Sequence, residues 1–259
     1  MRTPLVAANW KMHTVREEAL RLGAAIIEGL RAIPSIVEVV LCPPFVFLEA
    51  LRPVLAGSAV QLGAQNVHPE PQGAFTGEVS APMLRSVGCA YVIVGHSERR
   101  RYFRETDSEI GRKVRAALQA DLRPILCVGE ELAERRSGRA QAVVEGQLEG
   151  ALAALSDEAL DRLVIAYEPV WAIGTGQNAT PEEAQEMHAH IRAWARARWG
   201  DVAASGLRIL YGGSLRPENA LELFRQPDID GGLVGGASLE AAAFLRIVQA
   251  AVTASVSVH

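Results

Sequence analysis

The chain has 259 residues, 49% of them hydrophobic and 22% charged, with a formal net charge of −4. That length suits one large α/β domain, and the balance is neither that of a disordered chain nor of a membrane-embedded one. The mild acidity gives no reason to expect nucleic acid as a partner, and no apolar run is long enough to span a bilayer.

Cys42, Cys89 and Cys127 sit in apolar runs with no CxxC or metal spacing, which fits reduced, buried thiols. The N-terminus lacks the long apolar region of a signal peptide. Together these predict a soluble, cytoplasmic protein. The positive charge is nearly all arginine: Lys11 and Lys113 are the only two lysines, so the placement of each is informative.

Along the chain, strand-length apolar runs alternate with helical patterns. Pro4 to Asn9 predicts a first strand, and Thr14 to Leu30 a helix through Leu20, Ala24, Ile27 and Leu30. Val37 to Cys42 is a second strand, closed by Pro43-Pro44, before a helix from Phe45 to Leu55. Val60 to Val67 is a third, followed by a loop from Pro69 to Gly77 with Pro71, Gly73 and Gly77 as turn residues. Pro82 starts a short helix ending at Gly88.

Cys89 to Val94 is the fourth strand, with Gly95-His96-Ser97-Glu98 at its end and a charged helix from Ser108 to Ala120. Pro124 to Val128 is the fifth, and a long helix covers much of Glu131 to Leu155. The sixth opens at Leu163 as a continuous apolar run, the pattern of a strand buried on both faces, and ends at Glu168 where Pro169 stops the ladder. Thr180-Pro181-Glu182-Glu183 is a capping box with proline at the first helical position. Leu207 to Tyr211 and Ile229 to Val234 complete the strands, with helices at Pro217 to Phe224 and Leu239 to Ala251. Eight strand–helix units predict a closed α/β barrel, a (β/α)8 fold in a single domain over residues 1–259.

In such barrels the working residues gather at the C-terminal ends of the strands. Here those ends carry Asn9 and Lys11, Gln65 and Asn66, His96 with Ser97 and Glu98, and Glu168. After Glu168 comes an apolar segment with Gly174 and Gly176, so a general base under a hinged flap is expected. Strands seven and eight end in Tyr211-Gly212-Gly213-Ser214 and Val234-Gly235-Gly236-Ala237-Ser238, turns whose backbone N–H groups can approach an anion. Taken singly, Lys11 reads as a surface charge, His96 as a structural histidine, and Glu98 as a partner for Lys11 or an arginine. Gly174 to Ala179 fits the dinucleotide pattern G-x-G-x-x-A, but six residues separate it from the strand and the helix starts after it. NAD binding is discounted.

The motifs Asn9-Trp10-Lys11-Met12, Gly95-His96-Ser97-Glu98-Arg99-Arg100, Cys127-Val128-Gly129-Glu130, Tyr167 to Gly176, Tyr211-Gly212-Gly213-Ser214 and Gly231 to Ser238 closely resemble the triosephosphate isomerase family, in its order and spacing. The resemblance implies a TIM barrel, interconversion of dihydroxyacetone phosphate and glyceraldehyde 3-phosphate, no metal or organic cofactor, and a homodimer. It implies that Glu168 is the base, His96 the electrophile, and Lys11 and Asn9 substrate-binding and oxyanion-stabilising residues. Gly174, Ser214, Gly235 and Gly236 would hold the phosphate, with Cys127 and Glu98 in support. It also implies that His96 acts while neutral, held so by a helix N-terminus, the family itself being the standard example of such tuning.

Ala8 departs from the glycine common in the family, and Pro69-Glu70-Pro71-Gln72 looks like an addition to the loop after strand three. A Schiff-base aldolase would share the glycine turns but needs a lysine on a middle strand. A binding scaffold would predict loss of Glu168, His96 or Lys11, and all three are present.

Overall fold

The structure is a computed structural model that describes residues 2–153, 155, 157–173 and 178–256. Among them, parallel strands close a barrel in chain order: β1 (Leu5–Asn9), β2 (Glu38–Cys42), β3 (Gln61–Ala64), β4 (Tyr91–Val94), β5 (Arg123–Val128), β6 (Val164–Tyr167), β7 (Arg208–Tyr211) and β8 (Gly231–Val234). β8 returns to β1 with Ala8 opposite Val234, so the sheet has no free edge. Ala8 is fully buried in β1, and its methyl is accommodated.

The strands are apolar on both faces because each face is covered. Leu5, Ala7, Val40, Cys42, Ile93, Ile125, Cys127, Val164, Ala166 and Leu210 fill the barrel interior. Their neighbours along each strand, such as Val6, Leu41, Val92, Leu126 and Ile165, pack outward under the helices. At the N-terminal end the interior is closed by polar groups. The Tyr91 hydroxyl donates to Glu38 at 2.7 Å and accepts from Arg208 at 3.0 Å, while Arg208 reaches Glu38 at 2.6 Å.

The outer layer contains α1 (Arg16–Leu30), α2 (Leu48–Leu55), α3 (Ala81–Ser86), α4 (Ser97–Phe103), α5 (Asp107–Gln119), α6 (Leu132–Arg136), α7 (Ala140–Leu152), α8 (Pro181–Gly206), α9 (Ala220–Phe224) and α10 (Ala241–Val256). The capping box forms at Thr180 as its sequence predicts, with the Glu183 amide donating to the Thr180 hydroxyl at 3.1 Å. Several elements differ from the sequence pattern. α4 is an additional helix whose Ser-Glu-Arg-Arg-Arg-Tyr-Phe sequence has no apolar periodicity. The expected helix from Glu131 to Leu155 is two helices, parted where Gly138 takes φ +72°. α1 starts at Arg16, β3 stops at Ala64, and α9 starts only at Ala220.

α8 also buries His188 completely, with Nδ1 2.7 Å from the Ala184 carbonyl oxygen. Burial pushes this histidine down to about 4 from an ordinary 6.5. Between those values the unfolded chain binds a proton that the folded chain refuses, so stability rises with pH through the window and is lost on acidification. The full effect is about 3 kcal/mol at the acid limit. Urea unfolding from pH 7 to 4 is expected to show this loss, and His188→Gln to flatten it by up to about one proton.

Candidate functional site

A cavity of about 260 Å3 opens at the C-terminal ends of the strands. Asn9, Lys11, His96, Glu168, Ser214, Gly235 and Gly236 all line it, together with Ile173, Leu215, Arg216 and Leu233. Every described residue expected at the site is therefore brought to one place. Gly174 lies outside the described residues. A larger cavity of about 310 Å3 beside the N-terminal ends of β2 and β3 is lined by Ile27, Leu30, Val54 and Val248, and its one ionisable side chain is Arg31. It holds no acid or base for chemistry.

Glu168 stands directly beyond β6 and is 2% exposed. Its backbone is held by an N–H bond to the Val128 carbonyl at 2.7 Å. A Cβ at Gly129 would meet the Glu168 carbonyl oxygen at 1.7 Å, so glycine is required where β5 passes beneath it. The carboxylate accepts the Ser97 N–H at 2.8 Å and faces His96 Nε2 at 2.9 Å. Burial raises its pKa, but His96, the Ser97 amide and Lys11 outweigh burial and hold it below the usual carboxylate range.

His96 caps the N-terminus of α4, and its Nδ1 accepts the Glu98 N–H at 3.2 Å. That bond holds the ring proton on Nε2, toward Glu168. The helix N-terminus implied by the resemblance is present, but the expected lowering of the His96 pKa is not the outcome in this arrangement. Burial and Lys11 lower it; the Glu168 carboxylate, with a smaller push from Glu98, outweighs them and leaves it raised.

Lys11 adopts φ +50°, a left-handed conformation that is costly for a residue with a Cβ. Its N–H bonds Asn9 Oδ1 at 3.0 Å, and its carbonyl accepts Gln65 Nε2 at 2.8 Å. The same Gln65 amide reaches the Cys42 carbonyl at 2.8 Å, tying the turn to β2. Lys11 Nζ lies 2.6 Å from Glu98, the partnership weighed from sequence. Lys113 is elsewhere: buried, and bound to Asn66 at 2.8 Å and Glu105 at 2.6 Å. Lys11 is thus the lysine of the cavity.

The two glycine turns pack closely rather than twist. Gly212, Gly213, Gly235 and Gly236 are absent from the positive-φ residues. A Cβ at Gly212 would sit 2.9 Å from Glu168 Cγ, and one at Gly235 would sit 3.3 Å from Lys11 Cε. Glycine therefore lets both turns approach the charged groups.

The first turn beyond Pro169 is anchored by Glu130, which is fully buried. Its carboxylate accepts Trp171 Nε1 at 2.8 Å and the Tyr167 hydroxyl at 3.0 Å, while its carbonyl accepts Val170 N–H at 3.1 Å. Arg135 lies over the Trp171 ring at 4.5 Å. The expected flap from Val170 to Gly176 is described only as far as Ile173.

Sequence reasoning did not foresee the Ser97 amide, the Gln65 tie or Arg216. Ser97 and Arg216 border recognised motifs, but neither a backbone donor nor a rim arginine has a sequence signature. Burial pushes the thiols of Cys42, Cys89 and Cys127 up, which keeps them protonated and unreactive. Among the described residues no group of three or more His, Cys, Asp or Glu is placed to hold a metal ion.

A family model described as triosephosphate isomerase matches residues 4–251. A triosephosphate isomerase of Herpetosiphon aurantiacus is 57% identical over 252 residues, covering 96% of this chain and 99% of the relative. Another, from Chloroflexus aurantiacus, is 54% identical over 249 residues, covering 96% of this chain and 99% of the relative.

Proposed function

The chain belongs to the triosephosphate isomerase family, and from that premise we propose that the cavity at the strand ends is its catalytic site, with Glu168 as the proton carrier. The enzyme interconverts dihydroxyacetone phosphate and D-glyceraldehyde 3-phosphate through an enediolate, an intramolecular aldose–ketose isomerisation of glycolysis and gluconeogenesis. The observation that carries the site assignment is the meeting of a buried carboxylate, a histidine N–H and a lysine beside two glycine turns.

The Glu168 carboxylate removes a proton from C1 of the ketose and returns it to C2, while the C1 hydroxyl proton passes to the oxygen on C2 by way of His96 Nε2. As the carbon–hydrogen bond breaks, negative charge builds on the carbonyl oxygen, and the His96 Nε2–H, Lys11 and Asn9 stabilise it. Ser214, Gly235 and Gly236 hold the phosphate, a role the family motif extends to Gly174, and Ile173 lines the cavity beside them.

The resting contact between Glu168 and His96 has to break before either group can act. When Glu168 turns to the substrate, the charge that raises the His96 pKa departs. Burial and Lys11 remain and lower it, against the smaller push of Glu98. Glu168 in turn leaves His96 and the Ser97 amide, which depress its pKa, while burial, which raises it, remains. One movement favours the neutral form of the His96 ring and gives a stronger base at Glu168. A coupled assay with D-glyceraldehyde 3-phosphate tests the reaction, and absence of turnover would overturn it.

The chain is further read as one (β/α)8 domain that works in the cytoplasm as a homodimer. No helix among the described residues is long and apolar enough to cross a membrane. Phe75 stacks on His68 at 4.2 Å yet stays 43% exposed at a loop tip, while Met12, beside Lys11, is 95% exposed. A second copy would cover both, the loop from His68 to Glu78 of each subunit supporting the Asn9–Lys11 turn of the other. Phe75→Asp is expected to weaken association by about 2 kcal/mol or more. Sedimentation should show monomers, with activity falling alongside; a fully active micromolar monomer of the wild type would refute the dimer.

A further inference from the structure

Lys11, His96, Glu168 and Arg216 are the ionisable side chains lining the cavity, and three of them are already engaged. Glu168 faces His96 at 2.9 Å, and Lys11 is held by Glu98 at 2.6 Å. Arg216 lies two residues beyond Ser214, is exposed, and has no carboxylate partner among the described residues. The nearest acid in sequence, Glu218, pairs instead with Arg246 at 3.3 Å.

The turn that carries Arg216 is tied to the phosphate loop. The Arg216 N–H donates to Asn219 Oδ1 at 2.8 Å, and the amide of the same Asn219 donates to the Ser214 carbonyl at 2.9 Å. The backbone that carries this side chain is therefore tied to the loop assigned to the phosphate. A phosphate monoester carries a charge of about −1.5 to −2 near neutral pH. The protein as a whole is acidic, at −4, so its net charge does not draw a dianion, and local cations decide the field at the cleft. Unpaired charge at a cleft mouth is most effective there, because low-dielectric walls focus its field.

We propose that Arg216 is the steering residue of the site, the unpaired cation that draws the triose phosphate dianion to the glycine turns. It acts on capture of the substrate from solution, while Lys11, inside the cavity, acts on the bound dianion and on the charge that develops in the reaction. This rests on the reading of the cavity given above.

The test compares wild type, Arg216→Gln and Arg216→Lys in kcat/KM for D-glyceraldehyde 3-phosphate, from low to high salt. Arg216→Gln is expected to lower kcat/KM about three- to tenfold at low ionic strength, with the gap closing as salt shortens the screening length. kcat should change less than about twofold, inorganic phosphate should inhibit more weakly, and Arg216→Lys should stay near wild type. Unphosphorylated glyceraldehyde provides a control that structural damage would move and lost steering would not. A salt dependence superimposable on that of wild type would overturn the proposal, as would an equal loss with glyceraldehyde. If the wild type showed no isomerase activity, the reaction assignment would fall. Calorimetric binding of inorganic phosphate, expected to be weaker in Arg216→Gln at low salt, would still decide the role of Arg216.

Discussion

Glu168→Gln is expected to lower kcat by about 10²- to 10⁴-fold, the usual contribution of a positioned general base. Fold and inorganic phosphate binding should survive. The amide oxygen can still accept the Ser97 N–H, now at 2.8 Å from the carboxylate, and glycine remains beneath the residue at Gly129. What disappears is the basic lone pair and the charge. Because that charge is what raises the His96 pKa, the variant carries its own internal check: His96 should titrate at lower pH than in the resting wild type. NMR titration of the ring alongside the coupled assay measures both. Turnover within about tenfold of wild type would remove Glu168 from the role of base.

Lys11→Met is expected to cost about 10²- to 10³-fold in kcat/KM, the scale of removing one donor aimed at a developing oxyanion. The loss has two sources. The oxyanion and phosphate lose the lysine of the cavity, and Glu98, now paired with Lys11 at 2.6 Å, is left as an unmatched negative charge near the bound dianion. Adding Glu98→Gln should therefore recover part of the loss, although no new cation is introduced. Lys113→Met is the matched comparison. Its ammonium is buried against Asn66 and Glu105, so its removal should lower melting temperature without a selective loss of phosphate affinity. The reverse pattern, with Lys113→Met damaging to phosphate binding and Lys11→Met harmless, would undo the assignment of the Asn9-Trp10-Lys11 turn.

What separates these residues is whether their significance is local. Glu168 could be placed from sequence because a continuous apolar strand, then a carboxylate, then a ladder-stopping proline is a short-range pattern. The glycine turns after β7 and β8 and the capping box at Thr180 are legible for the same reason. α4 was not, because its stability comes from the His96 cap and from arginines bonded to carbonyls and carboxylates around it rather than from an apolar stripe. Arg100, for example, donates to the carbonyl of Gly95 at 2.9 Å and to that of Cys127 at 3.3 Å.

The alternation of strands and helices, and with it the set of residues at strand ends, is legible in short stretches of sequence. Both follow from periodicity and from the conformational limits of proline and glycine, which act over a few residues. Which strand ends face one another is fixed by the closed barrel. Barrel closure brings Lys11 to Glu98 across 87 residues and Glu168 to the Ser97 amide across 71. Those pairings set the directions in which the His96 and Glu168 pKa values are shifted, and among the described residues no carboxylate is left to pair with Arg216. They depend on charge separation and burial in three dimensions, and residues that far apart in the chain acquire both only when β8 docks on β1.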